Sequence, residues 1–169
     1  MRFTIPLAFL LVLSGSVLAD PPGVLVQPKD GGFTVRFPDK PKEATQTTST
    51  AIGKLNVYTA TYALPDGSVY LASYTEFPAN AVKPEVRKTL FDGVVKGLKG
   101  KDGNVVGEEK ELDIGKEKGR EVVIDKGKVQ SRYRMVVKDN RLIQLAAIGT
   151  GEFITGKDAT AFLDSFEFK

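Results

Sequence analysis

The chain contains no cysteine and no histidine, and those absences bound its chemistry before any motif is sought. Histidine is the side chain that normally changes charge near neutral pH, and it is the commonest metal ligand. Cysteine supplies the thiolate nucleophile, the soft metal ligand and the disulfide. The triads, zinc sites, haem sites and redox pairs built from these two residues are therefore excluded, and no cofactor is implied. An excess of one charge is also missing: 24 basic residues face 21 acidic ones, a net charge of +3. A nucleic-acid binder normally shows a distinctly basic face, so no nucleic-acid partner is expected. Asn56, Asn80, Asn104 and Asn140 all lack the Ser or Thr two positions on that N-glycosylation requires.

Long apolar runs are scarce, and the clearest stands at the beginning. Arg2 gives a short positive start, Ile5 to Leu13 form an apolar stretch broken by Pro6, and Val17-Leu18-Ala19 end it with a signal-peptidase pattern. A transmembrane helix needs about 20 apolar residues, and Ser14-Gly15-Ser16 end this run too early. Residues 1–19 therefore read as a cleaved signal peptide that exports the protein to the periplasm or the extracellular space. With no cysteine behind the apolar run, a lipoprotein anchor is excluded. No later segment is apolar enough to span a bilayer. Cleavage would leave a mature chain of about 150 residues, enough for one domain with a sizeable core and no need of disulfides.

Residues 20–32, with Pro21, Pro22 and Pro28, read as an N-terminal tether, and residues 33–169 as a single α+β domain. Phe33-Thr34-Val35-Arg36-Phe37 alternates with period two and predicts a strand. Thr45 to Thr50 is rich in β-branched residues without apolar alternation, as an edge strand or exposed hairpin arm would be. Leu55 to Leu64 and Val69 to Phe77 flank Pro65-Asp66-Gly67-Ser68, which predicts a hairpin. The period then changes: Val86, Leu90, Phe91, Val94, Val95 and Leu98 form one stripe, predicting a helix over Lys83 to Lys99 that packs on a sheet. Asn104 to Ile114, Gly119 to Asp125, Lys128 to Lys138 and Arg141 to Ile148 predict a second antiparallel block. Ala159, Phe162, Leu163 and Phe166 predict a closing helix over Asp158 to Phe166. The expected fold is an antiparallel sheet of about six to eight strands packed with two amphipathic helices.

Certain phrases carry a resemblance. They are Phe33-x-Val35-x-Phe37-Pro38-x-x-Pro41, Gly119-Arg120-Glu121, Asn140-Arg141-Leu142-Ile143-Gln144-Leu145 and Phe162-Leu163-Asp164-Ser165-Phe166. Together they resemble small exported bacterial domains of unknown function whose architecture is similar to the PsbP/Mog1 group. The resemblance covers Phe33 to Lys169. It implies a central antiparallel sheet with helices on its faces, and a role as an extrinsic accessory subunit or protein-binding module rather than a catalyst. It carries no functional residue over to this chain.

Four sets of side chains are candidates for chemistry. Glu108, Glu109, Glu111 and Asp113 are the densest carboxylates; Glu109, Glu111 and Asp113 would share one face of a strand, but Lys110 interrupts them and calcium-loop spacing is missing. A glycosidase needs two carboxylates about 5 to 10 Å apart, and sequence does not place Glu76, Asp92, Glu121 and Asp125 relative to one another. Gly-Lys pairs such as Gly53-Lys54 never assemble a P-loop. Arg132 and Arg134 leave one face of their strand, with Arg120 and Arg141 near the ends of possible neighbours. Gathered, they would grip anions in bidentate fashion; otherwise they pair with glutamates across the strands. Tyr58, Tyr62, Tyr70 and Tyr74 lie on the predicted hairpin, two per strand with spacing four, and suit either a binding surface or a core edge with wet hydroxyls. The expected function is an exported, non-catalytic accessory domain that binds a protein or envelope component. The alternatives are an arginine-face binder of anionic polymer or lipid headgroups and an Asp/Glu-dependent hydrolase.

Overall fold

The computed structural model describes residues 23–50, 53–79 and 81–169. Residues 1–19, read above as a signal peptide, and the first residues of the tether lie outside them. In chain order the strands are β1 (Val24–Val26), β2 (Phe33–Phe37), β3 (Lys42–Thr50), β4 (Gly53–Ala63) and β5 (Val69–Glu76). A 3-10 turn at Pro84–Val86 leads into α1 (Arg87–Lys99). Then come β6 (Asn104–Val105), β7 (Lys110–Ile114), β8 (Glu117–Asp125), β9 (Gln130–Lys138) and β10 (Arg141–Gly149). Two helices, α2 (Gly151–Thr155) and α3 (Lys157–Asp164), precede the closing strand β11 (Glu167–Phe168).

Eight strands form one antiparallel sheet in the order β3-β4-β5-β10-β9-β8-β6, with β7 also paired to β8. A second sheet of three strands runs β1-β2-β11. The fold is thus the expected α+β class, and its local signals are the ones chemistry dictates. Gly67 takes φ +87° in the β4–β5 turn, where its N–H donates to the Leu64 carbonyl and the Ser68 N–H donates to Asp66 Oδ1 at 2.8 Å. Gly100, at φ +61°, closes α1, a conformation that costs a residue with a Cβ more than glycine.

The large sheet buries its two faces unequally. Tyr58, Ala60, Tyr70, Ala72, Val136, Ile143, Leu145 and Ala147 pack against β1 and β2 through Val26, Phe33, Val35 and Phe37, and against Ile154, Ala159, Phe162 and Leu163 of α2 and α3. On the other face Val122, Ile124, Met135, Val137 and Leu142 receive Phe91 and Val95 from α1. Burying such a side chain fully is worth about 2 kcal/mol. Because α1 lies over β8 to β10, Val57, Thr59, Thr61, Leu71 and Thr75 on the same face remain half-exposed.

Four details differ from the sequence expectation. The tether read as 20–32 contains β1, whose residues pair one for one with Val35 to Phe37; three residues are too few to show a period. The strand expected over Asn104 to Ile114 is broken into β6 and β7, with Gly107 at φ +71° between them. Helix α2 is not among the elements expected from the sequence. It is one turn long, capped by Thr150, whose hydroxyl accepts from the Phe153 N–H at 3.2 Å. Lastly, the closing helix stops at Asp164, and Phe166 and Phe168 turn back on Phe33 and on each other.

Candidate functional site

Strand parity and register decide where the eight candidate side chains go. Arg134 opposes Glu121 on β8 and Leu145 on β10, and Arg132 opposes Ala147; both guanidinium groups therefore rise from the aromatic face. Arg120 opposes Met135, which puts it on the α1 face. The four arginines do not gather. This corrects the convergent patch: adjacent residues of β8 point to opposite sides, which removes Arg120, and Arg141, on the same side as Arg134, opposes Lys138, four residues further along the strands.

On the aromatic face the arginines are already occupied. Arg134 Nε donates to Glu121 Oε2 at 2.7 Å and its Nη1 to Asp164 Oδ1 at 2.5 Å. Arg132 Nη2 lies 3.0 Å from the same Glu121 oxygen, and its Nη1 donates to Thr160 Oγ1 at 3.2 Å. Two cations meet two carboxylates, so the set is neutral and clasps β8, β9 and α3 together. Glu121 is the one charged side chain buried among the described residues, at 6% exposure. Burial pushes its carboxyl pKa up, but the hydrogen bonds from Arg134 and Arg132 outweigh burial and hold it below the usual carboxylate range. A carboxyl so held stays ionised at neutral pH and supplies no proton, the opposite of a glycosidase acid.

The α1 face has a similar clasp nearer to solvent. Arg120 Nη1 donates to Asp92 of α1 at 2.6 Å and to Glu109 at 2.9 Å, with its guanidinium carbon 5.3 Å from the Phe91 ring centroid. The acidic run is thereby divided: Glu109 turns to Arg120, while Glu111 and Asp113 share Lys118 at 3.5 and 2.5 Å. Among the described residues no group of three or more acidic side chains is placed to hold a metal ion. Arg141 reaches Glu76 Oε1 at 3.3 Å.

The tyrosines separate into two pairs. Tyr58 and Tyr74 are opposite each other on β4 and β5 and stack with centroids 5.3 Å apart. Tyr58 donates to Glu43 Oε2 at 2.7 Å and Tyr74 to the Lys29 carbonyl at 2.8 Å. Burial, then the Glu43 hydrogen bond, pushes the Tyr58 phenol well above its ordinary pKa. This pair lines a polar cavity of about 510 Å³ with Asp30, Glu43, Asn56 and Glu76. Tyr70 instead belongs to the core, with its ring 5.2 Å from Phe153 and 4.9 Å from Phe162, and Tyr62 lies half-buried opposite it.

A larger cleft of about 840 Å³ opens between α2, α3, the end of β2 and the β4–β5 turn. Phe37, Leu64, Tyr70, Phe153 and Phe162 make its apolar floor, and Arg36, Lys157 and Asp158 stand among its polar lining. A mostly apolar concavity with a few polar groups is the usual form of a binding site. Of this set, sequence reasoning singles out Tyr70 alone as a site candidate. A further signal was present in Thr150 followed three residues later by Phe153, a cap placing an aromatic ring at the helix start.

No protein-family model matches this chain, and no curated protein matches it either. Among solved structures it is similar to the solution structure of cyanobacterial PsbP (CyanoP) from Synechocystis sp. PCC 6803. The TM-score is 0.58 at 8% sequence identity, over 94% of this chain and 99% of that one. The shared property is the fold.

Proposed function

We propose that the protein is an exported, non-catalytic accessory domain that holds a protein of the cell envelope in the cleft between α2 and α3. The observation that carries this reading is the cleft itself, whose aromatic floor and mixed-charge rim suit the apolar centre and polar border of a protein contact. The fold shared with cyanobacterial PsbP is compatible with the accessory role that the sequence resemblance implies, and the leader over residues 1–19 motivates export. Among the described residues no helix is long and apolar enough to cross a membrane. Against a hydrolase stands the one buried carboxylate among the described residues, Glu121, which two arginines hold ionised.

The test is affinity capture from native envelope extract at low and high salt, comparing the tagged protein with Phe153→Ala/Lys157→Glu and Thr59→Lys variants. The expected result is one protein retained in high salt by the parent and by Thr59→Lys, and lost from the cleft variant. Retention by the cleft variant sinks the assignment. A salt-sensitive smear of anionic polymer or lipid would do the same.

A further inference from the structure

The outer edge of the large sheet is formed by β3, which contributes no residue to the lining of the cleft. Strand β3 is the last strand of its sheet and, among the described residues, pairs with β4 alone, one residue for one from Lys42↔Thr61 to Thr50↔Gly53. All nine of its residues are exposed. A strand in this position presents a row of backbone donors and acceptors that another strand can use, and sheets ordinarily guard such edges with short strands, bulges, prolines or charges. The opposite edge is guarded in this way: β6 has two residues, Gly107 breaks the run, and β7 carries Lys110, Glu111 and Asp113. Along β3, from Ala44 to Ser49, the side chains are Ala, Thr, Gln, Thr, Thr and Ser. There is no bulge, proline or charge in that stretch.

We infer that β3 is a homodimer interface, in which two copies pair β3 with β3 antiparallel about a two-fold axis through Gln46. Charge selects both the occupant and the direction. In this register Thr45 faces Thr47, Ala44 faces Thr48, and Glu43 faces the uncharged Ser49. Hydroxyl pairs across strands are favourable, whereas a parallel pairing in register would set Lys42 on Lys42 and Glu43 on Glu43. The facing residues have equal parity, so each face of one sheet continues into the same face of the other. The uncharged stretch gives a foreign strand no ionic handle, whereas a second copy fits by symmetry, and two-fold dimers are the commonest assemblies. Two eight-stranded sheets become one.

The absence of cysteine makes the test clean, because a Gln46→Cys variant has a single thiol. Across an antiparallel pair the Cα atoms at the dyad are about 4.5 to 5.5 Å apart, within disulfide reach. Ser49→Cys places its thiols about 20 Å apart, six residues of strand in all. Mild oxidation with oxidised glutathione should give a covalent dimer from Gln46→Cys and none from Ser49→Cys. In sedimentation velocity the parent should dimerise with concentration, and Gln46→Lys, with like charges facing at the axis, should raise the dimer Kd at least tenfold with unchanged circular dichroism. A parent that stays monomeric at every concentration overturns the inference. So does equal cross-linking of the two cysteine variants, or a dimer indifferent to Gln46→Lys. If Gln46→Lys releases a different chain from a monomeric parent, the edge belongs to that partner instead. Failure here leaves the cleft assignment standing, since none of these substitutions touches it.

Discussion

The two helix-bearing faces of the large sheet use the same device in different surroundings. On the aromatic face, Arg134 of β9 reaches Asp164 of α3; on the other, Arg120 of β8 reaches Asp92 of α1. Each is an arginine on the sheet holding an aspartate on a helix. The first pair also contains Glu121, buried beneath two guanidinium groups, whereas the Asp92 and Glu109 carboxylates that meet Arg120 sit near solvent, Asp92 at 48% side-chain exposure. Similar contacts are therefore worth different amounts. Removing Glu121 leaves two guanidinium groups without the buried carboxylate they share, whereas removing the exposed Asp92 still leaves Arg120 paired with Glu109.

That contrast can be broken most sharply at Glu121. Replacing Glu121 with Gln keeps the shape and removes the charge that Arg132 and Arg134 share, and the expected cost is about 3 kcal/mol. For a domain of this size that lowers Tm by roughly 6 to 12 °C, to be read by calorimetry. An unchanged Tm would show that the buried set is no more valuable than an exposed pair.

Acid should expose the same difference less steeply. The folded Glu121 pKa lies below its unfolded value near 4.5. Its contribution is therefore complete above that value and lost as pH falls toward the folded pKa. Tm measured from pH 6 to pH 3 should fall more steeply for the parent than for Glu121→Gln, with the two curves converging at the acid end. Parallel curves would assign acid sensitivity to other carboxylates.

The smallest effect is expected at Asp92. Its pKa is lowered by hydrogen bonds from Arg120 and Lys88, yet the carboxylate is solvated. Asp92→Asn should leave Tm within error in moderate salt. A drop comparable with that of Glu121→Gln would erase the distinction between the faces.

The legible part of the sequence was local. The hairpin around Pro65-Asp66-Gly67-Ser68 follows from residues that preset φ, and α1 follows from a stripe six side chains long, although its first turn is 3-10. The pairing of Arg134 with Glu121 is one of the arrangements that cross-strand neighbours leave open. The elements that escape are short or set by distant partners. Three residues of β1 and two of β11 have no periodicity of their own and become strands only because β2 offers both edges. Likewise the separation of Arg120 from Arg132 and Arg134 depends on the β8–β9 register, which no local pattern specifies. The cleft is invisible in the sequence because its floor draws on β2, the β4–β5 turn, α2 and α3.

The pairing of β2 bears on the order in which the small sheet can be completed. Phe33 lies opposite Phe168, and the Lys169 N–H donates to the Gly32 carbonyl at 2.9 Å. The third strand of the small sheet thus leaves the ribosome well over a hundred residues after the strand that awaits it. Until those residues emerge, one edge of β2 stays unpaired, and Phe33 lacks its Phe166 neighbour. A nascent chain stopped before β11 would display that gap to any quality-control protease, so the fold itself registers whether this strand has been added.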